Sequence, residues 1–501
     1  MKRYPALQFP LTLLLVSFCL FSGCQSVKEA PAKKTVKSLA GKFRPVREIE
    51  PAVEQIMKRA GVTGLSCAVI NDSEIVYVKA FGYKNRKKET RNDEQTVFSA
   101  ASFSKTVFAY LVMKLVEEGQ LDLDKPLQDV LGQPLYRYAK YADLGGDKRC
   151  EKITARIVLS HQTGFPNWRF LTDDGKLRFL FDPGARYSYS GEGIALLQLA
   201  VEKITGKGLE ELAGEKVFGP LGMTRTSYVW QEEFVKDYAW PHDEFERPRL
   251  KDRRDEADAA GSMQTTAGDY VRLLKDILEA KNLSRALIDE MLTPQVAITS
   301  ERMFGPGAWR ETEANQDSHL SWCLGWGRFD SKHGRAFFHP GHESGFQNYT
   351  VTYADAGVGI VLLSNSDNFE SVAQDIVAAY IGQDESPFGW LGYEPFDPAK
   401  KRTPPPERKA TAVKPDILAG YVGEYEIQPG QMVSIKLEEG HLYVDIVSNK
   451  ERWLEMLAES ETVFFIEDSA YEFNFTRDGA GRVTGLVLSA QGMKIEGKKR
   501  E

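Results

Sequence analysis

Ser102 and Lys105 stand three residues apart at the start of the strongest helical segment in this 501-residue chain. Residues at i and i+3 of a helix share a face, so the lysine amine projects beside the serine hydroxyl. The partial positive charge of a helix N-terminus disfavours an ammonium there. A desolvated lysine can lose its proton near neutral pH and act as a base toward the hydroxyl, turning serine into a nucleophile. A scan of every serine finds the Ser-x-x-Lys spacing only here. The same residues also read as an N-capping serine with a surface lysine one turn on, and spacing alone does not separate the two.

Other reactive residue types offer less. Of five cysteines, Cys19 falls in an N-terminal apolar run and Cys24 ends it. Cys67, Cys150 and Cys323 remain, too few and too far apart for a disulfide framework. Cys67 sits inside the apolar run Leu65–Ile70, where a free cysteine behaves as a small core hydrophobe. There is no Cys-x-x-Cys pair or cysteine–histidine cluster, so no metal is expected. His161 reads as a structural loop residue, and His242, His319, His333 and His441 lack paired ligand spacing. Trp168 and Phe165 read as core aromatics by default, with a pocket lining as the alternative.

The elements that must position Ser102 can be traced along the chain. Val53, Ile56, Met57 and Ala60 share one face of a short helix, and Gly64–Ile70 with Glu74–Phe81 reads as a β-hairpin. The helix carrying Lys105 runs from Ser102 to Glu118, with Val107, Phe108, Leu111, Val112 and Leu115 at helical spacing before Gly119. A second helix spans Ile194 to about Ile204. Strands are expected near Ala336–His339, Phe346–Tyr353 and Gly357–Leu363. Seven of the 23 prolines fall between Pro387 and Pro415, a linker composition. Beyond it, Met432–Leu437, His441–Val447, Val463–Ile466, Tyr471–Thr476 and Val483–Leu488 are short strand-like segments, the pattern of a small β-barrel or sandwich.

Four further motifs surround the Ser102 element in chain order: Leu159-Ser160-His161-Gln162-Thr163-Gly164, Tyr187-Ser188-Tyr189-Ser190-Gly191, Ala259-Ala260-Gly261-Ser262 and His339-Pro340-Gly341. Together with Ser102-Phe103-Ser104-Lys105 they resemble the serine β-lactamase-like and penicillin-binding-protein-like hydrolases, which include class C β-lactamases, DD-peptidases, D-aminopeptidases and esterases. The resemblance covers about residues 45–385. It implies an α+β fold, an antiparallel sheet flanked by helices with a helical subdomain, followed by the small all-β barrel. It implies Ser102 as the acylated nucleophile, Lys105 as its base and Tyr189 as a proton shuttle. It places Gly191 where the family's Tyr-x-Asn element has asparagine, and His339 where its Lys-Thr-Gly element has lysine. The backbone N–H groups of Ser102 and His342 would form the oxyanion hole, and Gly341 would leave room for substrate backbone. No cofactor is implied. With His339 only partly charged at neutral pH and Gly191 offering no amide, a weak β-lactamase at most is expected.

Lys2, Arg3, the apolar stretch Leu11–Phe21 and Ser22-Gly23-Cys24 resemble a bacterial lipoprotein signal, with Cys24 as the lipid attachment site. An ordinary secretory signal with a chance cysteine is the alternative. The expected organisation is signal 1–23, flexible tether 24–45, hydrolase domain 46–385, proline-rich linker 386–414 and barrel 415–501. With 64 basic and 71 acidic residues the formal charge is −7, which gives no support to a nucleic-acid partner. Beyond the N-terminus no apolar run approaches the roughly 20 residues that cross a bilayer. The sequence therefore points to an envelope serine hydrolase, lipid-anchored and periplasm-facing or extracellular, that cleaves small ester or peptide-like amide substrates through an acyl-enzyme. The alternatives are a DD-peptidase or D-amino-acid peptidase on cell-wall fragments, and a catalytically lapsed peptide- or β-lactam-binding protein. Oligomeric state is left open.

Overall fold

A computed structural model describes residues 34–500 except 251–252, 401, 405, 429–430, 447–452, 470 and 491–492. The expected signal and Cys24 lie outside the described residues.

Nine antiparallel strands form the central sheet, in the order Thr90–Arg91, Glu74–Asn85, Gly64–Asn71, Val358–Ser364, Phe346–Tyr353, Gly334–Glu343, Gly327–Ser331, Ser321–Trp322 and Val296–Ala297. The first hairpin pairs with a strand from the far end of the domain, Cys67 opposite Leu362. Successive side chains of a strand point to opposite faces. Leu65, Cys67 and Val69 therefore pack under helices Val46–Ala60 and Ala373–Ile381, while Ala68 and Ile70 pack under Phe103–Glu117 and Ala267–Glu279. Because both faces are covered, the strand reads as a continuous apolar run rather than an alternation.

The Phe103–Glu117 helix is buried all round, with Val107 to Met113 fully enclosed. The periodic set seen in the sequence is only its most apolar face. Helix Ala267–Glu279 was passed over although Tyr270, Val271, Leu274 and Ile277 recur at helical spacing after the capping Thr266, a pattern the sequence does carry. Cys67, Cys150 and Cys323 are free and buried.

Two expected boundaries shift. Thr35–Lys37 pairs with Phe43–Pro45 inside the expected tether. Val36 is fully buried against the sheet's outer core, and Leu39 donates to Ile381 O at 2.8 Å. This segment is a docked hairpin. The expected linker also begins inside the domain: Phe388, Trp390, Leu391 and Tyr393 join the same core, with the Phe388 ring 4.8 Å from that of Tyr349. Proline content misled here because the prolines flank buried aromatics.

The C-terminal unit is a closed eight-stranded antiparallel barrel running from Gly423–Gln428 to Met493–Lys499 and closed by Tyr425 opposite Lys499. Strands Gly423–Gln428, Leu454–Ala458 and Met493–Lys499 were not foreseen. In the first and last of these Glu424, Glu426, Lys494, Glu496 and Lys498 face outward and leave little apolar signal, and Leu454–Ala458 is only five residues long. Phe464, Phe473, Phe475, Leu486 and Leu488 fill the interior, and Tyr421 from helix Pro415–Tyr421 stacks on Phe475 at 4.0 Å. No described helix is long and apolar enough to cross a membrane.

The docked hairpin has a measurable consequence. Val36→Ala removes two methyl groups from a closed core and should destabilise the catalytic domain by roughly 2 kcal/mol. Thermal unfolding of the full chain checks this, since a tether residue would give no change.

Candidate active site

Ser102 lies at the mouth of the buried helix, but its side chain caps nothing. The chain reaches it through Ala101, held at φ +46°. That is an uncommon conformation for a residue with a side chain, and one often found where function fixes the backbone. The turn is pinned from several sides. Ala100 N–H donates to Met263 O at 2.8 Å, Ser104 Oγ donates to Ala101 O at 2.6 Å, and Met263 N–H donates to Ser104 Oγ at 3.0 Å.

Lys105 is 1% exposed. Its Nζ donates to Ser102 Oγ at 3.1 Å and to the carbonyl of Ala260, and it lies 4.9 Å from the Tyr189 ring centroid. The reading of a capping serine with a surface lysine is therefore excluded. Burial pulls the Lys105 pKa down to about 7; the Asp258 carboxylate opposes this and the Arg254 guanidinium adds to it. A buried amine with this value is available as a base near neutral pH.

Tyr189 is buried, and its hydroxyl has no partner in hydrogen-bond geometry among the described residues. Burial raises its pKa, while the nearby Ser102 hydroxyl acts in the opposite sense. The tyrosine is held by what precedes it. Ser188 N–H donates to His161 O at 2.8 Å, and Ser190 N–H donates to His161 Nδ1 at 3.1 Å. His161 is thus a positioning residue, kept neutral because burial drives its pKa far below the ordinary value. Its ring lies 4.2 Å from that of Tyr189.

Three expected contacts are placed differently. His339 is fully buried and does not line the cleft. Strand alternation turns it toward Phe103, Trp322 and Trp326, and its Nδ1–H donates to Pro340 O at 2.6 Å. Burial, reinforced by Lys105, pushes its pKa down to about 3. It is a neutral core imidazole and not the partly charged substrate anchor expected. Gly341 is needed for a different approach from the one inferred: a Cβ there would meet Ala100 O at 2.9 Å and Asn348 at 3.1 Å, so the strand packs against the turn before Ser102. At Gly191 a Cβ would fall 2.5 Å from the Trp168 indole. Trp168 occupies the space that an asparagine would need and lines the cleft, contrary to its reading as a core aromatic, whereas Phe165 is core.

His342 does line the cleft. Its Nδ1 donates to Glu370 Oε1 at 2.8 Å, and that carboxylate raises the imidazole pKa.

The cleft, of about 1050 Å³, also contains residues the sequence reading passed over. Asn167 Oδ1 accepts from Gly191 N–H at 3.0 Å, which fixes the carboxamide so that Nδ2 is the end left to donate. The loop is clamped to helix Gly191–Thr205, as Glu192 N–H donates to Asn167 O at 3.1 Å and Arg169 forms a forked pair with Glu192 at 2.8–3.0 Å. Arg249, Arg254, Glu343, Met303 and Phe304 line other parts of the cleft, as do Ser469 and Tyr471 of the barrel. No local motif marks these residues; only the fold gathers them.

The profile of the Beta-lactamase family matches residues 49–382. The chain belongs to that family. It is thus a member of a serine hydrolase superfamily. Residues 407–499 match a second family, described as a domain of unknown function (DUF3471). Penicillin-binding protein 4* of Bacillus subtilis is 24% identical over 458 residues, covering 84% of this chain and 92% of that protein. The octameric penicillin-binding protein homologue from Pyrococcus abyssi superposes with a TM-score of 0.54 at 21% identity, over 90% of this chain and 100% of that one. The D-alanine carboxypeptidase AmpC from Burkholderia cenocepacia gives 0.53 at 19% identity, over 66% and 97%.

Two measurements follow from the buried lysine. Activity requiring neutral Lys105 should rise with pH through a limb near 7 in kcat/KM. Asp258→Asn removes the charge that favours the ammonium, so it should move that limb to lower pH. Stability gives the complementary readout. Below about pH 7 the folded state must hold a buried ammonium. An unfolded lysine keeps its proton to about pH 10.4. Replacing Lys105 by methionine should therefore abolish activity yet raise Tm at pH 7, with the gain shrinking toward pH 10.

Proposed function

We propose that this protein is a serine hydrolase of the bacterial cell envelope that cleaves ester or peptide-like amide bonds through an acyl-enzyme on Ser102. The observation that carries this reading is the Lys105 amine 3.1 Å from the Ser102 hydroxyl, buried and with its pKa lowered to about 7. Lys105 Nζ takes the hydroxyl proton as Ser102 Oγ bonds to the substrate carbonyl carbon. The developing oxyanion receives the backbone N–H groups of Ser102 and His342. Tyr189 carries a proton to the leaving group as its bond to the carbonyl breaks. Water then attacks the ester and restores the serine. Losing general-base help of this kind typically costs 10²–10⁴-fold.

The amide, peptide-like arm is supported by the relative named a penicillin-binding protein and by the D-alanine carboxypeptidase among the structural neighbours. The donor end of Asn167 suits an acceptor on such a substrate, and this favours a D-amino-acid or DD-peptidase reading as the second choice. A lapsed binding protein would have no need of a buried, unneutralised lysine, which is costly to keep. Attachment to the membrane through lipidated Cys24 completes the proposal.

A fluorophosphonate probe should label Ser102, and Ser102→Ala should lose both labelling and hydrolysis of p-nitrophenyl acetate; retention of either would sink the assignment. β-Lactam turnover should be poor, because His339 supplies no cation and Gly191 no amide. Nitrocefin should give a lower kcat/KM than a short-chain p-nitrophenyl ester on the same preparation.

A further inference from the structure

The C-terminal barrel follows a proline-rich segment, yet it contributes to the cleft. Ser469 and Tyr471 line the same space as Ser102 and Lys105. They belong to a turn between two barrel strands, Val463–Phe465 and Glu472–Arg477. The turn is built firmly: Ser469 Oγ donates to Ile466 O at 2.9 Å, and Tyr471 N–H donates to Ser469 Oγ at 3.1 Å. Asp468 takes a left-handed conformation, φ +56°, which aspartate tolerates better than most residues.

Three contacts fasten this turn to the hydrolase domain. Leu250 N–H donates to Asp468 O at 2.5 Å. The Leu250 side chain packs against the barrel's apolar interior cluster while also lining the cleft. Lys87 Nζ reaches Glu467 and Asp468, each at 3.2 Å. Exposed ion pairs contribute little on their own, so the backbone bond and the half-buried leucine carry most of the attachment. Arg249, beside Leu250, donates to Ser344 Oγ on the turn after the His342 strand and pairs with Asp367 at 2.9 Å. The barrel turn is thereby continuous with the wall that follows the proposed oxyanion donor.

We propose that the barrel is a specificity element of the hydrolase: its Ile466–Ser469 turn and Tyr471 wall the cleft and restrict it to short substrates whose reacting bond lies near a chain end. The proposal rests on the serine-hydrolase reading and adds a selection by length. A cleft of about 1050 Å³ is at the upper end of pockets that enclose a single small ligand, about 300–1,000 Å³. It holds a few residues of a peptide-like chain, and a longer polymer has to pass the barrel turn. This gives the domain of unknown function a task at the reacting centre of its neighbour.

The test uses the full-length protein and a series of N-acyl peptide p-nitrophenyl esters of one, three and five residues, read as the ratio of kcat/KM between shortest and longest. The wild type should prefer the shortest by more than tenfold. Tyr471→Ala should reduce that ratio at least fivefold and Tyr471→Trp should increase it. Position 471 is partly exposed, so both side chains can be accommodated. An unchanged ratio in both variants, including a parallel fall on every substrate, would overturn the proposal. Loss of the underlying reading registers separately, as ester hydrolysis that survives Ser102→Ala.

Discussion

Much of the organisation of this molecule answers one electrostatic demand, that a lysine amine be buried beside a serine deeply enough for desolvation to outweigh the pull of the Asp258 carboxylate. An ammonium in such a place is penalised by desolvation, and the amine responds by giving up its proton. The surroundings accept the neutral form through groups without formal charge: the Ala260 carbonyl, the Ser102 hydroxyl and the face of Tyr189. Each comes from a different part of the chain. The segment around Ala260 is stitched to the helix start, Tyr189 precedes a capped helix, and the helix itself is enclosed on all sides. The hydrophobic enclosure that stabilises the domain is also what sets the proton affinity of Lys105.

The rest of the site is rigidified by loops tied to one another rather than by the sheet alone. His161 holds the backbone on both sides of Tyr189, and the Arg169–Glu192 fork fixes the loop that presents Asn167 and Trp168. Such positioning lets a static cleft act on a reacting carbonyl without ordering its own residues at the moment of reaction. It also explains Gly191: the amide expected from that position has no space, because the indole is already there.

How much of this was legible in the sequence depended on whether the signal was local. The Ser102–Lys105 relation is a property of one helical turn, so spacing revealed it, and the resemblance supplied Tyr189 as their companion. The apolar strands and the barrel texture were readable for the same reason. His339 was misplaced because its motif resembles a substrate anchor, while its environment depends on strand alternation and on tryptophans packed from elsewhere. Asn167, Arg249, Ser469 and Tyr471 sit in ordinary loops and acquire meaning only through long-range packing. The docked hairpin was hidden by lysines, which pattern like a solvated tail although Val36 between them is enclosed. The missed barrel strands are short and carry charged residues between their inward ones, as Glu455 stands between Leu454 and Met456, whereas helix Ala267–Glu279 carries a helical stripe that was legible.

The docked hairpin also sets a leash. With Thr35–Pro45 fixed to the domain, a lipid carried at Cys24 would be joined to the folded body by only the ten or so residues before Thr35. Even fully stretched, that length spans at most roughly 35 Å. A tether running to residue 45 would have allowed about twice as much. A hydrolase on so short a leash would work close to the bilayer surface, and the depth it could reach would be a property of eleven residues of hairpin rather than of the catalytic cleft.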